Sequence, residues 1–345
     1  MPSLSRMQPS SMNPSLSPLS RTYHSIDLLK VVAALLVVAI HAFPAHDGGQ
    51  PLPINLFSRM AVPVFFVVSA FFFFKKKPGR EQLLRYLKRM GALYAFWLVV
   101  EAYITIDGAF LSHPEWPLGK ALAIFARNFL LNSTFSGSWF IMALIIGIPL
   151  VYWLCKRLNT WAVLTIGIGC YIPIVATTNY YAYLPEGAQH ATDAALKALG
   201  YYHNSAFAAL AFCAMGRLIA EHEAAIARLK GWTTTVALAL CVALAWMEVA
   251  YHEARFADCY FMLVPTTAAI VVWVLKHETA MNLPYALLRN FSTVTYFSHF
   301  IFIWALASTP LSPLAIYFVV VALSLATTFA FRILSPRIPL LRYGY

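Results

Sequence analysis

The sequence predicts an all-α integral membrane protein with about ten transmembrane helices and both termini in the cytoplasm. Three observations carry that expectation. Of 345 residues, 60% are hydrophobic and 11% charged, where a soluble domain carries about 25% charged residues; mean hydropathy is +0.67. Apolar runs of about 20 residues, the length that crosses the hydrocarbon core, recur along the chain. Lys and Arg are gathered in alternate loops, as topology requires. The net charge of +11 therefore reads as a topology signal, and no nucleic-acid partner is expected.

Residues 1–22, opening MPSLSRMQPSSMNPSLSPLS, are rich in Ser and Pro and predict a disordered cytoplasmic tail; residues 23–345 form the membrane domain. No cleavage site follows the first apolar run, so it reads as a retained span. Spans are expected over 26–44, 54–74, 87–106, 137–155, 160–178, 203–220, 231–251, 257–275, 290–308 and 312–332. The loop KKKPGREQLLRYLKR fixes the cytoplasmic side. With it, Arg6, Arg21, Lys156, Arg157, Arg217, Arg228, Lys230, Lys276, Arg289, Arg332, Arg337 and Arg342 bring the inner segments to 19 basic residues. The outer segments hold 4: Lys120, Arg127, Lys197 and Arg255. EQLLRYLKRM is basic and amphipathic and is expected to lie along the cytoplasmic surface before the third span. PLGKALAIFARNFLLN is expected as an outer interfacial or re-entrant helix. Five scattered cysteines suggest neither a disulfide framework nor a zinc site. His113-Pro-Glu115 and Tyr251-His252-Glu253 match no zinc spacing, so no metal is expected.

Ionisable groups inside spans are the strongest functional signal, because each is costly in hydrocarbon and faces a partner or a polar cavity. The first span carries Asp27, Lys30 and His41. Lys30 and His41 are three helical turns apart, on nearly one face and separated by about 16 Å along the axis. The second span carries Arg59 near its outer end, then Pro63, which removes a backbone donor, and Ser69 deeper in. Each has a structural reading too: Lys30 snorkelling to the interface, His41 at the outer boundary, Arg59 anchored to headgroups, Asp27 paired with Lys30 at i,i+3.

Four local features together resemble the membrane-bound acyltransferase 3 family of bacterial O-acyltransferases. IDLLKVVAALLVVAIH has the first-helix pattern of a basic residue, ten residues and His, here Lys30 and His41. SRMAVPVFFVVSAFFF resembles the second-helix signature, GSWFIMALI the Trp-Phe segment of the fourth helix, and STVTYFSHFIF a late Tyr-x-x-His element. Lys30 stands where the family often has Arg, and Ala70 where it usually has Gly. The resemblance runs from about residue 22 to 333.

That resemblance implies a multi-pass protein of the bacterial plasma membrane. Its donor would be a cytoplasmic acyl-CoA, most often acetyl-CoA, with no permanently bound cofactor. Its acceptor would be a hydroxyl of a cell-surface glycan or lipid-linked sugar, and membrane lipids would surround it. Under this reading His41 and Arg59 are catalytic: His41 as base or as acyl carrier, Arg59 where oxyanion charge develops. Lys30, Asp27 and Ser69 attend the donor, and Trp139, Phe140, Tyr296 and His299 shape the substrate pocket. Trp139 and Phe140 also fit an interfacial aromatic belt, and His299 an interhelical hydrogen bond. Glu248, His252, Glu253, Arg255 and Asp258 cluster near one outer loop, which reads as a solvated turn or a glycan contact. The competing class is a transporter or exporter of a polar solute, in which intramembrane charges and a proline-broken span are equally natural.

Overall fold

The computed structural model describes residues 22–43, 51–107, 111–203, 205–251 and 258–345. Residues 1–21 of the expected tail lie outside the described residues. Among the described residues the secondary structure is helical, with no strand.

The first run forms α1 (His24–Ala42), and the second is shared by α2 (Leu52–Arg59) and α3 (Ala61–Lys75). The break between them falls at Met60 for a reason legible in the chain. Pro63 has no N–H, and its ring crowds the carbonyl four residues back, that of Arg59. α4 (Arg80–Val100) and α5 (Ala102–Ile106) follow. The amphipathic EQLLRYLKRM stretch and the apolar run after it form one continuous helix, with that stretch as the first half of α4. No proline interrupts it, and the Gln82 side chain accepts from the Gly79 N–H at 3.0 Å, which starts the helix at Arg80.

α6 (Leu118–Leu131) is a separate helix in which only Ala121 is buried. α7 (Trp139–Leu154) precedes α8 (Thr160–Thr178), whose first turn is capped by Asn159 accepting from the Ala162 N–H at 2.8 Å. The next connection, read from sequence as loop, contains α9 (Glu186–Leu199). Its polar composition escapes a search for apolar runs; Gly200, at φ +72°, ends it. α10 (Ala206–Glu221), α11 (Glu223–Arg228), α12 (Gly231–Tyr251), α13 (Leu263–Lys276), α14 (Tyr285–Leu306) and α15 (Pro313–Leu334) complete the bundle, and a 3₁₀ turn covers Pro339–Gly344. The eighth expected span, 257–275, starts late, because residues 258–262 run as a non-helical segment ahead of α13.

Among the described residues, five stretches are long and apolar enough to cross a membrane: His24–Ala42, Leu52–Lys75, Thr160–Thr178, Gly231–Tyr251 and Pro313–Leu334. This is a membrane protein built of helices. Its centre is α10, in whose sequence AFAALAFCAMGRLIAE half the residues are Ala, Gly or Cys. Small side chains let helix backbones meet, which supplies packing where lipid gives no hydrophobic drive. A Cβ on Gly216 would sit 2.3 Å from the Val67 carbonyl oxygen of α3, and one on Gly167 of α8 would sit 2.7 Å from the Ala211 backbone of α10. α3 and α8 therefore press on opposite parts of α10. α1 packs on α14, α2 and α3. α12 stands at the edge, with Trp232, Val236, Leu240 and Met247 exposed along it.

Candidate active site

Among the described residues, two cavities take in side chains singled out from the sequence. The larger, about 350 Å³, is walled by α1, α2, α3, the 133–139 segment, α10, the segment before α13, and α14; His41, Arg59, Trp139, His203, Asp258 and Tyr296 are among its lining residues. The smaller, about 200 Å³, is lined by Lys30, Ser69, Arg89, Phe140, Tyr296 and Arg342 among others. α1 thus contributes His41 to one cavity and Lys30 to the other, which is the use of its eleven-residue spacing.

Between the cavities stands an aromatic partition. Consecutive residues divide there: Phe65 and Phe140 line the smaller cavity, Phe66 and Trp139 the larger, and Tyr296 lines both. The Phe140 ring lies 5.0 Å from Phe66 and 5.0 Å from Tyr296, and Phe65 lies 5.8 Å from Tyr296, centroid to centroid. Such offset and edge contacts add stability beyond area burial, roughly 0.5–1.5 kcal/mol per pair. The Tyr296 hydroxyl donates to the Gly137 carbonyl at 3.2 Å. Gly137 is at φ +74° and so permits the tight turn into α7.

In the larger cavity Arg59 closes α2. Its guanidinium donates to Asp258 and, at 3.4 Å, to the Asn55 side chain. Asp258 also takes His203, whose Nε2 is 3.3 Å from Oδ2. The segment carrying Asp258 is fastened by two tyrosines: Tyr171 donates to the Tyr260 carbonyl and Tyr260 to the Leu56 carbonyl, each at 3.1 Å. His41 opens into the same cavity, with its ring 4.4 Å from Phe300 and 5.3 Å from His299. His299 does not reach either cavity wall. It is fully buried, with Nδ1 3.0 Å from the Thr295 carbonyl and Nε2 without a hydrogen-bond partner.

In the smaller cavity Lys30 is 3.9 Å from Asp27, which Arg289 holds more closely at 2.7 Å. Asp27 lines neither cavity; it stands behind Lys30 as a shared counter-charge. Ser69 lies on the wall of the smaller cavity, Trp139 and Phe140 fall on opposite sides of the partition, and Tyr296 belongs to both.

Sequence reasoning missed His203 and Arg342, singled out Arg89 only as the end of the basic 75–89 loop, and took Asp258 for part of a surface cluster. Two of its five members, Glu248 and Asp258, fall within the described residues. Glu248 turns inward and accepts from the Phe261 and Met262 N–H groups, each at 2.7 Å, so capping the approach to α13. His252, Glu253 and Arg255 lie outside the described residues. A signal for His203 existed in YYHNS, a polar stretch directly ahead of an apolar run.

A family model described as an acyltransferase domain matches residues 23–333. The chain belongs to the acyltransferase 3 family. Among curated proteins this family member is similar to an amino-acid racemase of Enterococcus faecalis, 25% identical over 166 residues that are 47% of this chain and 23% of that protein. It is also similar to a serine/alanine racemase of Enterococcus gallinarum, 26% identical over 157 residues, 43% of this chain and 22% of that protein. The chain therefore spans under a quarter of the length of these relatives. No solved structure matches.

Proposed function

We propose that this membrane acyltransferase moves an acyl group, acetyl from acetyl-CoA, to a hydroxyl of a cell-surface or lipid-linked glycan. The observation that supports this most is the division of labour along α1: Lys30 faces one cavity, His41 the other, and one layer of aromatic rings separates them. The topology that goes with it has ten spans in the bacterial plasma membrane and both termini in the cytoplasm. The smaller cavity then faces the cytoplasm and takes the donor; the larger faces outward and takes the acceptor.

Acyl transfer needs a base for the hydroxyl proton and a positive group where the carbonyl oxygen becomes an oxyanion. His41 is the base in this scheme. As the acceptor oxygen bonds to the thioester carbon, its proton passes to the His41 imidazole, and Arg59 faces the oxyanion. The carbon–sulfur bond then breaks and the thiolate takes the proton back. The same atoms permit a two-step route in which the His41 imidazole carries the acyl group between donor and acceptor. Both routes need the thioester end of the donor to pass the Phe140–Tyr296 partition.

Purified protein incubated with radiolabelled acetyl-CoA and a glycan acceptor should release CoA, and His41→Ala should reduce release to background while folding normally. Equal turnover by wild type and His41→Ala would remove His41 from the mechanism. No turnover and no binding across a panel of acyl-CoAs would favour the transporter class, with the partition as its central gate.

A further inference from the structure

The turn that follows α15 folds back against α4. The Trp97 indole donates to the Gly344 carbonyl at 3.2 Å, and the Tyr345 hydroxyl donates to Ser335 at 3.2 Å. A Cβ on Gly344 would sit 2.6 Å from Phe96 and 2.7 Å from Phe331, so only glycine fits between those rings. Fastened in this way, the turn places Arg342, Tyr343 and Tyr345 on the wall of the smaller cavity, beside Lys30 and Arg89.

The charge on that wall is one-sided. No acidic side chain lines the cavity. Lys30 shares Asp27 with Arg289, and Arg289 holds it more closely. Arg89 and Arg342 enter no ion pair among the described residues. Ser69, Ser292 and Thr293 add hydroxyl groups on the same wall. Three cations on the wall of one largely apolar recess suit a multiply charged oxyanion, and arginine forks suit phosphate in particular. Tyr343, on the same wall, is 54% exposed and offers a ring on which a planar base can stack.

We infer that residues Pro339–Gly344 complete the donor site, with Arg342 joining Lys30 and Arg89 on the phosphates of a nucleotide-bearing ligand. This rests on the acyl-donor reading above, and it adds a binding element far from the motifs of the first two spans. Arg342 acts on affinity for the phosphorylated part of the donor, not on the chemistry at His41.

The test uses the full chain in lipid nanodiscs with adenosine 3′,5′-bisphosphate as the probe, since it carries nucleotide phosphates and no acyl group. Wild type should bind it, Arg342→Ala about tenfold more weakly, and Arg342→Lys in between. Arg337→Ala, ahead of the turn and off the cavity wall, should bind like wild type. Turnover of acetylpantetheine, which lacks the nucleotide, should be unchanged in Arg342→Ala, whereas KM for acetyl-CoA rises. Equal binding by wild type and Arg342→Ala overturns the inference and leaves acyl transfer standing. Arg342-dependent binding without consumption of any acyl thioester supports the anion site and sinks the acyltransferase reading. An anionic lipid headgroup has the same chemistry. Loss of probe binding in phosphatidylglycerol nanodiscs, with acetyl-CoA turnover intact, would assign the recess to lipid and overturn the proposal.

Discussion

Asp258 sits where two basic side chains converge. Arg59 and His203 both contact its carboxylate, from α2 and from the segment before α10. The Arg59 and Asp258 side chains are 22% and 28% exposed, so breaking the pair costs less than the 3–5 kcal/mol of a fully buried one, about 1–2 kcal/mol. Its greater effect is on position. Asp258→Asn keeps the shape and removes the charge, leaving the guanidinium without its anchor. We expect kcat to fall about 10²-fold, the scale of an ångström of misplacement, with KM for the donor unchanged and Asp258→Glu recovering part of the loss. Wild-type kcat in Asp258→Asn would free Arg59 from any dependence on this pair. The contrast with His41, Lys30 and Arg59 explains what the sequence discloses at this scale. A charge inside an apolar run is conspicuous because hydrocarbon penalises it. Asp258 and His203 stand at the very start of their expected spans, where a titratable residue reads as an ordinary interfacial one, and only the fold brings them to Arg59.

At the scale of helices, packing on α10 decides tolerance. Gly216 meets the α3 backbone with no room for a methyl group, whereas Gly91, in α4, has nothing within 4 Å of a Cβ. Overpacking costs typically 1–3 kcal/mol and rises when the obstacle is backbone. Gly216→Ala should therefore lower the melting temperature and the yield of monodisperse protein. Gly91→Ala should raise stability by about 0.5–1 kcal/mol, the ordinary gain for a helical glycine. Thermal unfolding of the two variants side by side checks both signs. The apolar runs announced most of the helices, and Pro63 announced the break at Met60. Two features stayed hidden for physical reasons: α9 is too polar to register as a span, and α4 continues a basic amphipathic half into an apolar half without any breaker to mark, or prevent, the join.

For the molecule as a whole, the two cavities matter because of where they open. The proposed topology of ten spans and cytoplasmic termini puts Lys76 and Lys120 on opposite sides of the membrane. In a background lacking the five native cysteines, Lys76→Cys should react with an impermeant maleimide only in inverted vesicles, and Lys120→Cys only in right-side-out cells. Labelling of both from one side would invalidate the assignment of donor and acceptor faces. The family motifs lie on α1, α2–α3, α7 and α14, four elements distant in sequence that meet around the aromatic partition. Their adjacency could be stated from resemblance alone, but the partition itself could not, since its thickness depends on how rings from three helices interleave. That thickness has an electrical consequence. At Tyr296 a single side chain, held by one hydrogen bond to Gly137, is all that parts the two recesses. In the proposed topology, with the recesses facing opposite sides of an energised membrane, Tyr296 also acts as insulation: the acyl-bearing arm of the proposed donor slips past it, while a continuous file of water, along which protons would short-circuit the cell, does not.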